Sequence, residues 1–583
     1  MGIHSATAVT VGSQAGAAAL ETGGGEAQPR YRTDVRLLTF GATALSIVSF
    51  FIYFRRGELL LSGDAVAHIN HARRVFDSLT PGLGQLGTVW LPLPHLLMLP
   101  FVANDWLWRS GVAGAIPSMT AFVLGALGIF RLVSEAALGL KLPAQVPRAS
   151  GWLAVAVYST NPNLLYLQTT ANNEPLYLAL FIWSMVWLQR FRQRLRNNRP
   201  DNTVGGALVA CGVLIAAAEL TRYDGWFAAG CTGMAASAIL LLHRRRLSPR
   251  MLQASTAFAA TIIAAPAFWL AYNYALQGNP LDFANGPYSA HAIELRSPHG
   301  PGPLHPGDHE PRVAAAYYIR TAEADLGQNK ERYLIFWIAL ASAVILALAR
   351  TEVRLLILLW APLPFYIYSI AYGSIPVFMP ELPPWSYYNT RYGTAVLPAI
   401  AAFLALAVAL IAARSSARLL RAGIFLVAFV FTTLTYVSAY RMPHHRGWSF
   451  PGEPSAGPLV WREAKTNAVT RAAFESELGI ALQKLPAHTR LLMYCSNHVG
   501  ALQQAGIPLG NVINEANHPF WQWALATPAK EADFVVAITG DPIATAVLAH
   551  PDQLVPVVSI RGASDQGDAT IYRSLLRPTP EPD

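Results

Sequence analysis

Residues 204–250 read VGGALVACGVLIAAAELTRYDGWFAAGCTGMAASAILLLHRRRLSPR. The runs 204–221 and 226–242 are apolar and each lies close to the roughly 20 residues that cross a bilayer as a helix. Between them sits the corner Thr221-Arg222-Tyr223-Asp224-Gly225, and after the second run come Arg244, Arg245, Arg246 and Arg250. This is a membrane hairpin with a charged corner on one side and a basic cluster on the other, and the pattern recurs along the chain.

Composition agrees with that reading. Over 583 residues the chain is 53% apolar and 13% charged, with a mean hydropathy of +0.32. Soluble domains carry about 25% charged residues. A soluble enzyme wetted on every face is thereby excluded, and so is a disordered chain, which could not leave this much apolar surface in water. The net charge of +9 lies in short clusters between apolar runs, as in the cytoplasmic loops of membrane proteins, so it does not indicate nucleic acid. Three cysteines are too few for a disulfide framework, and no Cys/His zinc spacing occurs.

Outward from the hairpin, further apolar runs lie at 36–54, 112–133, 150–168, 174–190, 252–275, 332–349, 354–372, 391–413 and 422–440. With the two quoted runs these predict about eleven transmembrane helices. Residues 91–103 are apolar but short and broken by proline, which suits a re-entrant or interfacial segment. With the N-terminus inside, the clusters Lys141 and Arg148, Arg190–Arg199, Arg244–Arg250, Arg350 and Arg354, and Arg414–Arg421 all face the cytoplasm. Arg55, Arg56, Arg73 and Arg74 are exceptions, in the first outer loop. Residues 1–35 read as a disordered cytoplasmic tail, 36–440 as the transmembrane domain and 441–583 as a separate outer α/β domain. In that domain, strands are predicted near 490–496, 533–539, 554–560 and 570–576, with helices at 499–505 and 543–549. It has no Gly-rich phosphate loop.

The polar residues of interest gather on the outer side. If 63–74 is helical, Asp64, His68 and His71 share one face. Asp64 then reads either as a general base or as a helix N-cap. The three together are also a possible divalent-metal set, as against two wet interfacial histidines. Arg222 reads as a structural ion pair with Asp224 or Glu219, or as a phosphate ligand oriented by those acids. Arg391 and Tyr392 read as an interfacial belt or as partners of an anionic lipid head group. Asn172, Asn173 and Glu174 come from a fourth corner.

Together, Gly63-Asp64 with its following helix, Trp90-Leu91-Pro92-Leu93-Pro94-His95, Thr221–Gly225 and Asn389-Thr390-Arg391-Tyr392 resemble the GT-C membrane glycosyltransferases, in particular the bacterial protein-mannosyltransferase and aminoarabinose-transferase group. The resemblance covers about 36–440. It implies a GT-C bundle, a polyprenyl-phosphate sugar donor and an extracytoplasmic acceptor, in a bacterial inner membrane and without a required cofactor. It makes Asp64 the catalytic carboxylate. By the same resemblance Arg222, Arg391 and Tyr392 would hold the donor phosphate and Asp224 would assist, with Glu174 and Asn173 as further active-site candidates. Asp64 is followed by Ala65, so the acidic pair frequent in the group is here a single carboxylate. A lipid-linked oligosaccharide ligase or polymerase would use the same outer face. A transporter would place charge near mid-membrane, which these spans lack.

Overall fold

The computed structural model describes residues 27–296, 303–441, 454, 456–496, 498–562 and 566–577. The first helix, α1 (Ala27–Arg55), leads to an outer segment holding α2 (Gly63–Arg74), α3 (Leu93–Val102) and α4 (Asp105–Ser110). Then follow α5 (Val112–Gly139), α6 (Val146–Ser159), α7 (Pro162–Leu167), α8 (Glu174–Arg196), α9 (Asp201–Glu219), α10 (Tyr223–Leu242) and α11 (Pro249–Gln277). The second long outer segment carries α12 (Asp282–Asn285), α13 (Ala290–Arg296) and α14 (Pro311–Ala324), before α15 (Glu331–Ala349), α16 (Pro362–Tyr372), α17 (Leu397–Ala413) and α18 (Arg418–Ser438).

Among the described residues, nine helical stretches are long and apolar enough to cross a membrane. This is a multi-pass membrane protein. Two of the eleven expected spans differ for identifiable reasons. The run 150–168 breaks at Asn161, whose side chain caps α7 by accepting from the backbone of Asn163 and Leu164 at 3.0 and 3.1 Å. The run at 174–190 forms the 23-residue α8, long enough to cross at roughly 34 Å. Its tryptophans, tyrosine and arginines lower its hydropathy. Helix α1 begins at Ala27, so the expected 1–35 tail boundary lies inside a helix; the rest of that tail, before residue 27, falls outside the described residues.

The span Thr390–Ala413 is central, with 83% of its apolar window buried, while α11 and α18 are 17% buried over theirs and turn apolar side chains outward, as lipid-facing helices do. At one end of the bundle, Arg148 pairs with Asp34, Arg190 with Glu135 and Arg196 with Glu352. The basic clusters expected inside therefore share one end, opposite the corners that carry Arg222 and Glu174.

The tail contains α19 (Leu459–Leu482), β1 (Leu491–Met493), α20 (Val499–Ala505), β2 (Val512–Ile513), α21 (Phe520–Ala526), α22 (Pro528–Glu531), β3 (Phe534–Ile538), α23 (Pro542–Ala549), β4 (Leu554–Ile560) and β5 (Ala569–Ser574). The sheet order is β2-β1-β3-β5-β4. Strands β2, β1 and β3 are parallel, and β5 runs antiparallel to both β3 and β4. The tail is not the separate body expected. Ala65, Ile69 and Ala72 of α2, Met98 and Val102 of α3 and Trp108 of α4 form one buried apolar cluster with Phe474, Leu478, Met493, Ala501 and Leu502. Asn70 adds polar ties, donating to Gln503 at 2.9 Å and accepting from the Trp108 indole at 3.0 Å.

Candidate active site

Helix α2 starts after Ser62, which occupies the N-cap position. Asp64 lies inside the first turn and Arg73 and Arg74 in the last, charges that complement the helix dipole. The N-cap reading of Asp64 is therefore corrected, and its carboxylate is free for a long-range partner. That partner is Arg391, at the membrane entrance of the central span. Arg391 also donates through Nε to Glu174 Oε1 at 3.0 Å. The same Glu174 oxygen accepts from Arg222 at 2.6 Å, so one carboxylate bridges two guanidiniums. Arg222 further donates to Asn173 at 2.7 Å, to Asp224 at 3.2 Å and to the Tyr366 hydroxyl at 2.5 Å. Tyr366 in turn donates to Asp224 at 3.0 Å. The Tyr392 ring lies between the two cations, with Arg222 5.1 Å and Arg391 5.0 Å from its centroid.

The corner holding Arg222 is tight because Gly225 allows it. A Cβ there would stand 2.5 Å from the Ala218 carbonyl oxygen, which only glycine avoids. Four separate corners thus place Asp64, Asn173, Arg222 and Asp224, and Arg391 and Tyr392 around one cavity of about 2330 Å³, with Glu174 behind them bridging the two arginines. Exposure separates the acids. The side chain of Asp64 is 38% exposed, that of Glu174 5% and that of Asp224 1%. Asp224, read from sequence as catalytic, is sealed beneath Arg222 and Tyr366 and orients the guanidinium.

Asp64, His68 and His71, a possible metal set from sequence, each face a different partner. His68 Nδ1 lies 2.9 Å from His95 Nε2, Arg74 donates to His71 Nδ1 at 2.5 Å, and Asp64 is taken by Arg391. A guanidinium donating to an imidazole nitrogen occupies the lone pair a metal would need. Among the described residues, no group of three His, Cys, Asp or Glu side chains could hold a metal ion. His68 and His71 instead pack on Trp90, with ring centroids 4.4 and 5.0 Å away.

Burial pushes His68 down to about 4, and His71 and His95 well below the usual imidazole range. Between pH 6.5 and 4 an unfolded chain binds a proton at His68 that the folded chain refuses, so stability of this segment falls as pH drops through that window. Hydrogen exchange of the 63–74 amides, corrected for its intrinsic pH dependence, should therefore accelerate below pH 6.5. By pH 5 the opening free energy should fall on the order of 2 kcal/mol. A flat profile from pH 7 to 4 would contradict neutral burial.

No protein-family model matches the chain, and no curated protein sequence gives a significant match. Solved structures do match. ArnT from Cupriavidus metallidurans bound to undecaprenyl phosphate superposes with a TM-score of 0.52 at 12% identity, over 93% of this chain and 98% of that one. The chain has the GT-C fold. The apo state of the same ArnT gives 0.49 at 12% identity over the same shares. An oligosaccharyltransferase from Archaeoglobus fulgidus, tethered to an acceptor peptide, gives 0.39 at 11% identity, over 86% of this chain and 69% of that one. Within the GT-C fold of this chain, the sequence-selected Asp64, Asn173, Glu174, Arg222, Asp224, Arg391 and Tyr392 all line one cavity or its floor. Tyr366 was missed, because a tyrosine inside an apolar run carries no sign of facing inward. Glu463 was missed too. It lies on α19, across more than 70 residues from the Asn389 and Thr390 backbone groups it holds at 2.8 and 2.7 Å.

Proposed function

We propose that this protein transfers a sugar from a polyprenyl-phosphate donor to an extracytoplasmic acceptor, with inversion at the sugar. The observation that carries this reading is Asp64, the most exposed of the three carboxylates in the arginine cluster, held against one of two guanidiniums at the membrane rim. Arg222 and Arg391 match a phosphate ester by bidentate geometry and charge. An arriving phosphate competes with Asp64 for Arg391. Donor binding then releases the carboxylate beside the sugar, where it can take the acceptor proton. In the step itself the acceptor oxygen bonds to the anomeric carbon, the carbon–phosphate-oxygen bond breaks, the proton passes to Asp64, and the polyprenyl phosphate leaves with the electron pair. The cations stabilise charge growing on that phosphate. A phosphate leaving group needs no general acid, and these side chains supply the step without a required cofactor.

Structural likeness to ArnT bound to undecaprenyl phosphate supports a lipid donor of this kind. Reconstituted protein supplied with radiolabelled polyprenyl-phosphate sugars and envelope extract should move label from the lipid to an acceptor. Retention of all label on lipid, across pentose and hexose donors, would refute the reading.

The proposed setting is a bacterial inner membrane with the N-terminus in the cytoplasm and the tail outside. Alkaline phosphatase fused after residue 583 should be active, and inserted at 197–200 inactive, by at least tenfold. The opposite result at either site would invert the topology and remove the active site from the outer face.

A further inference from the structure

The cavity does not end at Arg391. It continues along α2 to the tail sheet, where its wall is made by the segments that follow β1, β2 and β3: Tyr494–Ser496, Glu515 and Ala516, and Thr539–Asp541. These are the carboxyl ends of the three parallel strands. Chain from β1 passes through α20 to β2 on one side, and chain from β2 returns to β3 on the other. Connections that depart in opposite directions leave a crevice at the carboxyl edge between β1 and β3, the place where open α/β sheets bind ligands.

That crevice presents polar groups with unused capacity. Arg74, 8% exposed, has no carboxylate within ion-pair distance among the described residues, and its Nε lacks a hydrogen-bond partner. Its neighbour Arg73, by contrast, is fully engaged by Asp77, Asp105 and the Val102 carbonyl. His498, 7% exposed, lines the same wall with Nδ1 unpartnered. Glu515 lines the same wall and accepts from the Cys495 backbone through Oε2 at 2.9 Å. Burial pushes this carboxyl up, while the nearby Arg74 charge opposes the shift. Tyr288, reaching over from the second outer segment, bonds to Tyr494 and offers aromatic surface beside these groups.

We propose that this crevice is the acceptor subsite, and that it binds the inner sugar units of an oligosaccharide acceptor. A carboxyl and a guanidinium that can each engage neighbouring hydroxyls, flanked by aromatic faces, match a sugar ring better than a peptide or an acyl chain. Asp64 and Arg74 are ten residues apart on α2, a rise of roughly 15 Å. An acceptor seated at Arg74 that presents its hydroxyl at Asp64 is therefore longer than one ring. This assignment rests on the transfer reading for the word acceptor, but its test does not.

Full-length protein in nanodiscs is titrated, without donor, with a panel of trisaccharides built from neutral hexoses, N-acetylhexosamines and hexuronates, followed by saturation-transfer NMR and calorimetry. At least one should bind saturably, and Glu515→Gln and Tyr494→Ala should each weaken it at least tenfold with unchanged thermal melting. Arg74→Gln should do the same. If Arg74→Gln does not fold, the other two variants decide. Absence of saturable binding by the whole panel overturns the proposal, as does binding that all folded variants leave intact, or saturation by a random peptide pool instead. Saccharide binding without any sugar transfer would leave this subsite standing and remove the transfer reading. Transfer without saccharide binding would do the reverse.

Discussion

Asp64→Asn should lower the rate of sugar transfer by about 10²–10⁴-fold, the size of a general-base contribution. The substitution keeps volume and much of the hydrogen bonding to Arg391 while removing proton affinity. Donor KM should move little by comparison, because the base acts mainly in the transition state. The structure sharpens the control. Ser62 occupies the N-cap position and Asp64 lies one residue inside the helix, so Asn at 64 removes no capping side chain. Asp224→Asn is the comparison variant. Its carboxylate is sealed under Arg222 and Tyr366, and its loss should disturb donor binding rather than the proton step. Near-normal transfer by folded Asp64→Asn protein would reject the base assignment and leave Asp224, on the cavity wall, or Glu174 behind it as the next candidates.

Arg222→Ala should be the most damaging single truncation in the ring. Arg222 simultaneously serves Asn173, Glu174, Asp224 and Tyr366, and its side chain is 11% exposed. Removing one partner of a buried ion pair costs about 3–5 kcal/mol, because the remaining charge stays buried. Glu174 keeps Arg391, but Asp224 keeps only the Tyr366 hydroxyl. Thermal melting in detergent should drop clearly, and donor KM should rise more than tenfold along with a fall in kcat, since a phosphate clamp acts in both ground and transition states. Arg222→Lys should not restore either quantity, because an ammonium cannot reproduce the fork. Full donor affinity in folded Arg222→Lys protein would show that Arg222 is a scaffold residue alone.

The sequence was most legible where physics forces a simple pattern. Bilayer thickness imposes long apolar runs, and the sidedness of arginine orders them. Once sidedness is known, the polar corners at 64, 173–174, 222–224 and 391–392 must share an outer face. That shared face needed no knowledge of helix packing to anticipate, whereas the bridging of Arg222 and Arg391 by Glu174 did. What stayed hidden was contact across sequence distance. Nothing local marks Glu463 as the residue that fixes the Asn389–Thr390 turn, or His95 as the neighbour of His68. Strand β2 has two residues, too few for any periodicity to register. The two readings of Asp64, base or cap, differed only in which way a carboxylate points, and that is decided by Arg391, 327 positions away.

The apolar cluster shared by α2–α4 and the tail sets an order of events during biogenesis. The segment bearing Asp64 leaves the ribosome several hundred residues before the surfaces that seat it, from Phe474 to Ile571. Among the described residues, every candidate membrane span precedes those surfaces. Through most of translation the carboxylate therefore sits on a helix whose apolar face has no counterpart, and the constellation it belongs to is incomplete. Residues 474–571 complete the seat of the Asp64 helix, so a product that stops before them leaves the apolar face of α2 uncovered.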